Sequence, residues 1–147
     1  MRIFAMNAIA KVEVDTLTGR VRVLKMVGVQ DCGLPMNRLA VKSQLNGGMI
    51  QALSYALLEE RVVDATLGIV LNANLEDYKV AGATEMPELV ALIDDEDTRD
   101  AAIGMAEPAI IPGHSAIANA VANACGARVR SLPLTPDKVL AALGKLG

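Results

Sequence analysis

Aromatic side chains are almost missing from this chain. There is one phenylalanine, no tryptophan and two tyrosines among 147 residues. The core must therefore be built from alanine, valine, leucine, isoleucine and methionine. Histidine is equally scarce. His114 is the only one, so a histidine-rich metal site is excluded, and a catalytic triad lacks an evident acid and nucleophile. The two cysteines, Cys32 and Cys125, have no CxxC spacing, which argues against an iron–sulfur cluster or structural zinc on this chain. Free buried thiols in a reducing cytoplasm are the expectation instead. No apolar run reaches membrane-spanning length. The short apolar stretch near the N-terminus is broken by Asn7, which argues against a secretory signal. The net charge is −3 and the basic residues are scattered, so the basic stripe of a nucleic-acid footprint is lacking. Arg128 and Arg130, on either side of Val129, read as the wet face of a strand. There is neither a P-loop nor a GxGxxG run.

What the chain does have is apolar bulk. Hydrophobic residues make up 52%, enough for one domain over 1–147 with a sizeable core. So high a share predicts that part of the surface is covered by another chain, and that the isolated chain self-associates through that face. Ala10, Val12 and Val14 alternate with Lys11 and Glu13, the period of a half-buried strand. Asp15-Thr16-Leu17-Thr18-Gly19 supplies a turn, and a second strand runs to about Val29 with a bulge near Leu24. Asn37 is a helix cap for a helical stretch interrupted or restarted at Asn46-Gly47-Gly48. Met49, Ala52, Leu53, Ala56 and Leu57 then share one helical face.

Further on, residues 61–70 read as a short strand pair, and 72–74 as too polar and short for a core element. Residues 89–93 form a strand, and Asp94-Asp95-Glu96-Asp97 an acidic surface loop. A small-residue helix over 115–124 is closed by Gly126. Val129 starts a short strand, and Thr135 with Pro136 opens a last helix. Strands and helices do not alternate regularly, so the expected class is α+β, a mixed sheet with packed helices.

Two patches carry candidate chemistry. In Gly104-Met105-Ala106-Glu107-Pro108 one carboxylate sits in a small apolar run ahead of a proline. Such surroundings favour the neutral form of a carboxyl group and suit a general base near neutral pH. The bland reading is a solvated loop charge. In Ser43-Gln44-Leu45-Asn46-Gly47-Gly48 a glycine pair invites close approach, and Gln44 offers donors and acceptors to a polar organic cofactor. The bland reading there is a helix break beside a solvated glutamine.

Taken in order, the whole chain resembles the C-terminal part of the molybdenum-binding subunit of the xanthine dehydrogenase/aldehyde oxidase family, the molybdenum hydroxylases. The resemblance rests on residues 12–21, 44–51, 72–79, 104–108, 116–120 and 130–136. It implies the fold of the second molybdenum-cofactor-binding half and a molybdopterin cofactor shared with a half not present here. By resemblance, Glu107 matches the family's base glutamate, with Gly104 and Ala106 in its motif. Gln44 matches the glutamine that helps hold molybdopterin, with Gly47 and Gly48 as the motif's glycine pair. No metal ligand is implied on this chain.

In the family the base serves hydroxylation of an aldehyde or N-heterocycle carbon with oxygen from water. Electrons leave through iron–sulfur clusters and often FAD on other chains or domains. The implied partners are the rest of the molybdenum subunit, those electron-transfer subunits and a small-molecule substrate; the chain is not expected to be active alone. Ser43, Ala101 and Ala106 stand where the family commonly has glycine. The alternative is a non-catalytic stand-alone or remnant domain acting as an assembly module.

Overall fold

The computed structural model describes residues 6–94 and 100–145. Residues 1–5 of the apolar N-terminal stretch and 95–97 of the acidic run lie outside the described residues. The alternating segment forms strand β1 (Met6–Val14), which pairs antiparallel with β2 (Val21–Gln30). Val12 faces Val23 while Lys11 faces Lys25, so Leu24 is the extra residue of a bulge, where the sequence puts it. β3 (Glu88–Ile93) joins β2 in parallel, giving a mixed sheet of order β1-β2-β3 among the described residues.

The hairpin turn is fixed by Asp15. Its carboxylate accepts the Thr18 hydroxyl at 2.8 Å and the Leu17 N–H at 2.8 Å. The Thr18 hydroxyl first, then the two backbone donors, hold this carboxyl below its ordinary value of 3.8. A depressed carboxylate contributes its full stability above the unfolded-state value and loses it as pH falls through the lower folded-state value. The turn therefore loosens only in acid below that ordinary value. Thr18→Ala is expected to move the Asp15 titration back towards 3.8, which a carboxyl-carbon NMR titration reads directly.

Helix α1 (Arg38–Leu57) follows, with the Asn37 side chain accepting from the Ala40 N–H. It is continuous through Asn46-Gly47-Gly48, where the sequence suggests an interruption. A glycine inside a helix costs about 1 kcal/mol, but tertiary burial outweighs local propensity. Leu45, Met49, Ala52, Leu53 and Ala56 are all buried along one side. Helix α2 (Ile111–Cys125) starts four residues before the sequence places it, because Pro112 is tolerated in a first turn. It ends at Gly126 in the left-handed conformation, φ 78°. α2 packs along β1, α1 across β2 and β3, and the two helices against each other. Met26, Met49, Leu53, Ile117, Val121 and Leu134 form the centre of the core.

Two further readings need correction. Val129 starts no strand. Arg128 and Arg130 do alternate outward around the half-buried Val129, but the segment has no partner strand among the described residues. Downstream, the Leu134 N–H bonds to the Ala56 carbonyl at the end of α1 instead. Helix α3 (Pro136–Ala142) then closes the described chain, with Thr135 extended ahead of it. Residues 72–74 form no helix or strand, as expected of so polar a stretch, and of the three only Asn72 is buried. Its side chain accepts the Val62 N–H at 2.9 Å and donates to the Glu60 carbonyl at 2.6 Å, which offsets the desolvation cost of the amide. It staples an arm after α1 in which a single bridge, Val63 to Val70, replaces the expected strand pair. The arm leaves Leu67, Ile69, Leu71 and Leu75 exposed.

Candidate functional site

The two patches singled out in the sequence meet in space. Glu107 opens a short 3-10 turn, Glu107–Ala109, that leads into α2. This turn lies on α1. The Gln44 side chain, 62 residues earlier, donates its Nε2–H to the Ala106 carbonyl at 3.0 Å. Gln44, Gly47, Ala106 and Glu107 are all exposed. On α1, Gln44, Gly47 and Gln51 share a face by their three- and four-residue spacing, and Gln51 is also exposed.

The glycine pair divides its duties. Gly48 is buried, and a Cβ built on it would lie 2.4 Å from the carbonyl carbon and oxygen of Ala109. Only a bare Cα lets the Glu107 turn sit this close to α1. A Cβ on Gly47 meets nothing within 4 Å, and the same holds for Gly104. These two positions leave open space on the exposed side. Ala106 has φ −116°, outside the left-handed region, so its methyl group meets no left-handed penalty. No described non-glycine residue has positive φ, which covers Ala101 too. Ser43 lies inside α1, where serine is a better helix former than glycine.

The apolar run around Glu107 does not bury it. Its carboxylate is exposed, so any desolvation must come from a second body covering this face. His114, half-buried in α2, packs edge-on against Tyr55 with ring centroids 6.0 Å apart, a packing contact. Among the described residues no group of three or more histidine, cysteine, aspartate or glutamate side chains is placed to hold a metal ion. No helix among them is long and apolar enough to cross a membrane.

Sequence reasoning missed how the 101–107 segment is held. Gly33 and Ala102 form an antiparallel bridge that ties the loop after β2 to the Glu107 run. The Asp31-Cys32-Gly33 spacing signals a turn but not the segment that the turn holds.

The carboxamide, bare glycines and carboxylate on one open face offer hydrogen-bonding groups to a polar organic ligand. Residues 3–87 match the family model described as molybdopterin cofactor-binding domain, and the chain belongs to that family. The match includes Gln44, Gly47 and Gly48; Glu107 lies beyond it.

The chain is 36% identical over 129 residues to the xanthine dehydrogenase molybdenum-binding subunit of Escherichia coli O157:H7, covering 86% of this chain and 17% of that protein. It is 38% identical over 134 residues to the aldehyde oxidoreductase molybdenum-binding subunit PaoC of Escherichia coli (strain K12), covering 88% of this chain and 18% of that one. The crystal structure of quinoline 2-oxidoreductase from Pseudomonas putida 86 superposes with a TM-score of 0.80 at 27% identity, covering 91% of this chain and 18% of that one. Aldehyde oxidoreductase from Desulfovibrio desulfuricans ATCC 27774 gives 0.78 at 34%, covering 89% and 14%. The chain thus spans less than a fifth of the length of these relatives.

Proposed function

We propose that this chain supplies one wall of the molybdopterin site in a molybdenum hydroxylase, an oxidoreductase acting on an aldehyde or N-heterocycle carbon with water as oxygen source. The observation that carries the reading is the Gln44–Ala106 hydrogen bond, which unites two patches far apart in sequence on one exposed face. The residues present fit the cofactor. Gly47 and Gly104 leave open space in which an organic group would meet no side chain. Gln44 commits one N–H to Ala106 and keeps a carbonyl oxygen and a second N–H for the ligand. The cofactor, when bound, supplies the redox and oxygen-transfer chemistry.

Glu107 accepts a proton on its carboxylate from the attacking group. Gln44 orients the cofactor and fixes the backbone next to the base. Gly47, Gly48, Gly104 and Ala106 shape the wall. The rest of the molybdenum subunit closes the face and excludes water, so the chain is inactive alone. Iron–sulfur and FAD components on other chains or domains remove the electrons.

The second reading, a non-catalytic assembly module, draws on the exposure of Glu107 and on the apolar arm with Leu67, Leu71 and Leu75 exposed. Purification from the native host separates the two. Stoichiometric molybdenum with a co-purifying large polypeptide is the expected result; a metal-free homo-oligomer supports the module and overturns the enzyme.

A further inference from the structure

We infer that Gly33, braced by Asp31, is a positioning residue for Glu107, acting through the backbone of residues 101–107. The inference rests on Glu107 being the base, but its structural half is tested separately. Among the described residues, ties at both ends hold the Glu107 run. At its far end Gln44 bonds to the Ala106 carbonyl, and Gly48 seats Ala109. At its near end the only described anchor is the loop after β2. There the Leu34 N–H bonds to the Ala101 carbonyl at 3.1 Å, and the Ile103 N–H to the Cys32 carbonyl at 3.0 Å. These two bonds flank the Gly33–Ala102 bridge.

Gly33 is the residue that makes this anchor possible. It has φ +64°, and a Cβ on it would lie 2.4 Å from the Ala101 carbonyl oxygen. Any L side chain is therefore excluded twice, by backbone conformation and by contact with the very segment it holds. The Asp31 carboxylate accepts the Gly33 N–H at 3.1 Å and stabilises the turn. The loop is pinned to the sheet, since it leaves directly from Gln30, the last residue of β2. A displacement at Gly33 passes along residues 101–106 to the base, because the anchored run is only a few residues long. Reacting groups displaced by about 1 Å lose roughly 10²-fold in rate.

The test combines hydrogen exchange and kinetics on Gly33→Ala. Gly68→Ala is the control, since Gly68 has nearly the same φ, +68°, with nothing within 4 Å. Gly33→Ala is expected to speed exchange of the Leu34 and Ile103 amides at least about tenfold, while amides of β1 and β2 keep wild-type rates. In the assembled, molybdopterin-loaded enzyme it is expected to lower kcat roughly 10²-fold, with KM and molybdenum content near wild type; Gly68→Ala changes none of these.

Unchanged exchange at Ile103 overturns the anchor. Freed amides with wild-type kcat overturn the positioning role alone. Molybdenum lost in step with kcat assigns Gly33 to cofactor retention and also overturns it. Intact turnover in Glu107→Gln removes the base reading, while the exchange result still decides the anchor. Should Gly33→Ala fail to fold, Asp31→Ala and Asp31→Asn carry the test. Asparagine keeps an acceptor for the Gly33 N–H, so only alanine is expected to free Ile103. Wild-type exchange in Asp31→Ala overturns the inference.

Discussion

Glu107→Gln in the assembled, molybdopterin-loaded enzyme is expected to cut turnover by about 10²–10⁴-fold, the usual contribution of a positioned general base. Glutamine keeps the shape of the side chain and loses only the ability to take a proton. The backbone bond from the Ile110 N–H to the Glu107 carbonyl is untouched, so the 3-10 turn is expected to survive. Molybdopterin content and KM are expected to stay near wild type, because an interaction made only in the transition state lowers kcat and kcat/KM together. Steady-state kinetics beside metal analysis checks this. Unchanged turnover would remove Glu107 from the chemistry.

The neighbouring glycines of α1 are expected to respond in opposite senses. Gly47→Ala places a methyl in open space within a helix, so the isolated chain gains about 0.5–1 kcal/mol. In the assembled enzyme that methyl enters the face assigned to the cofactor, and molybdopterin content falls. Gly48→Val drives a branched side chain into the Ala109 backbone and costs about 1–3 kcal/mol from overpacking. It also pushes the Glu107 turn off α1 and loosens the Gln44–Ala106 bond. Urea denaturation and molybdenum analysis of both variants read these effects. A Gly47→Ala enzyme with full molybdenum content would show that this face of α1 does not meet the cofactor.

Much of this was legible in the sequence where local chemistry decides the outcome. The β1–β2 hairpin, its bulge at Leu24 and the Asn37 cap follow from alternation and side-chain hydrogen bonding within a few residues. The misreadings come from long-range packing. Gly47-Gly48 looks like a helix break because local propensity disfavours it, yet the contact of Gly48 with Ala109 crosses some sixty positions of sequence. Val129 alternates like a strand and finds no partner strand among the described residues. The strand pair expected over 61–70 is reduced to one bridge, Val63 to Val70.

For the site, residue types suggested Gln44 and Glu107, but only the fold shows that they adjoin. The family resemblance is legible in the sequence because it lies in the order of motifs along the chain, which needs no contact to be seen. The Gly33 anchor was not legible, since a loop glycine gives no sign of which distant segment it admits.

Carboxyl labelling of Glu107, read by mass spectrometry in the same assembled complex with and without molybdopterin, tests the central claim most directly. The side chain is exposed in this chain. Loading the cofactor is expected to shield it from carbodiimide, while the exposed Glu13 and Glu76 label equally in both forms. Equal labelling of Glu107 in the loaded and cofactor-free complex would contradict the account.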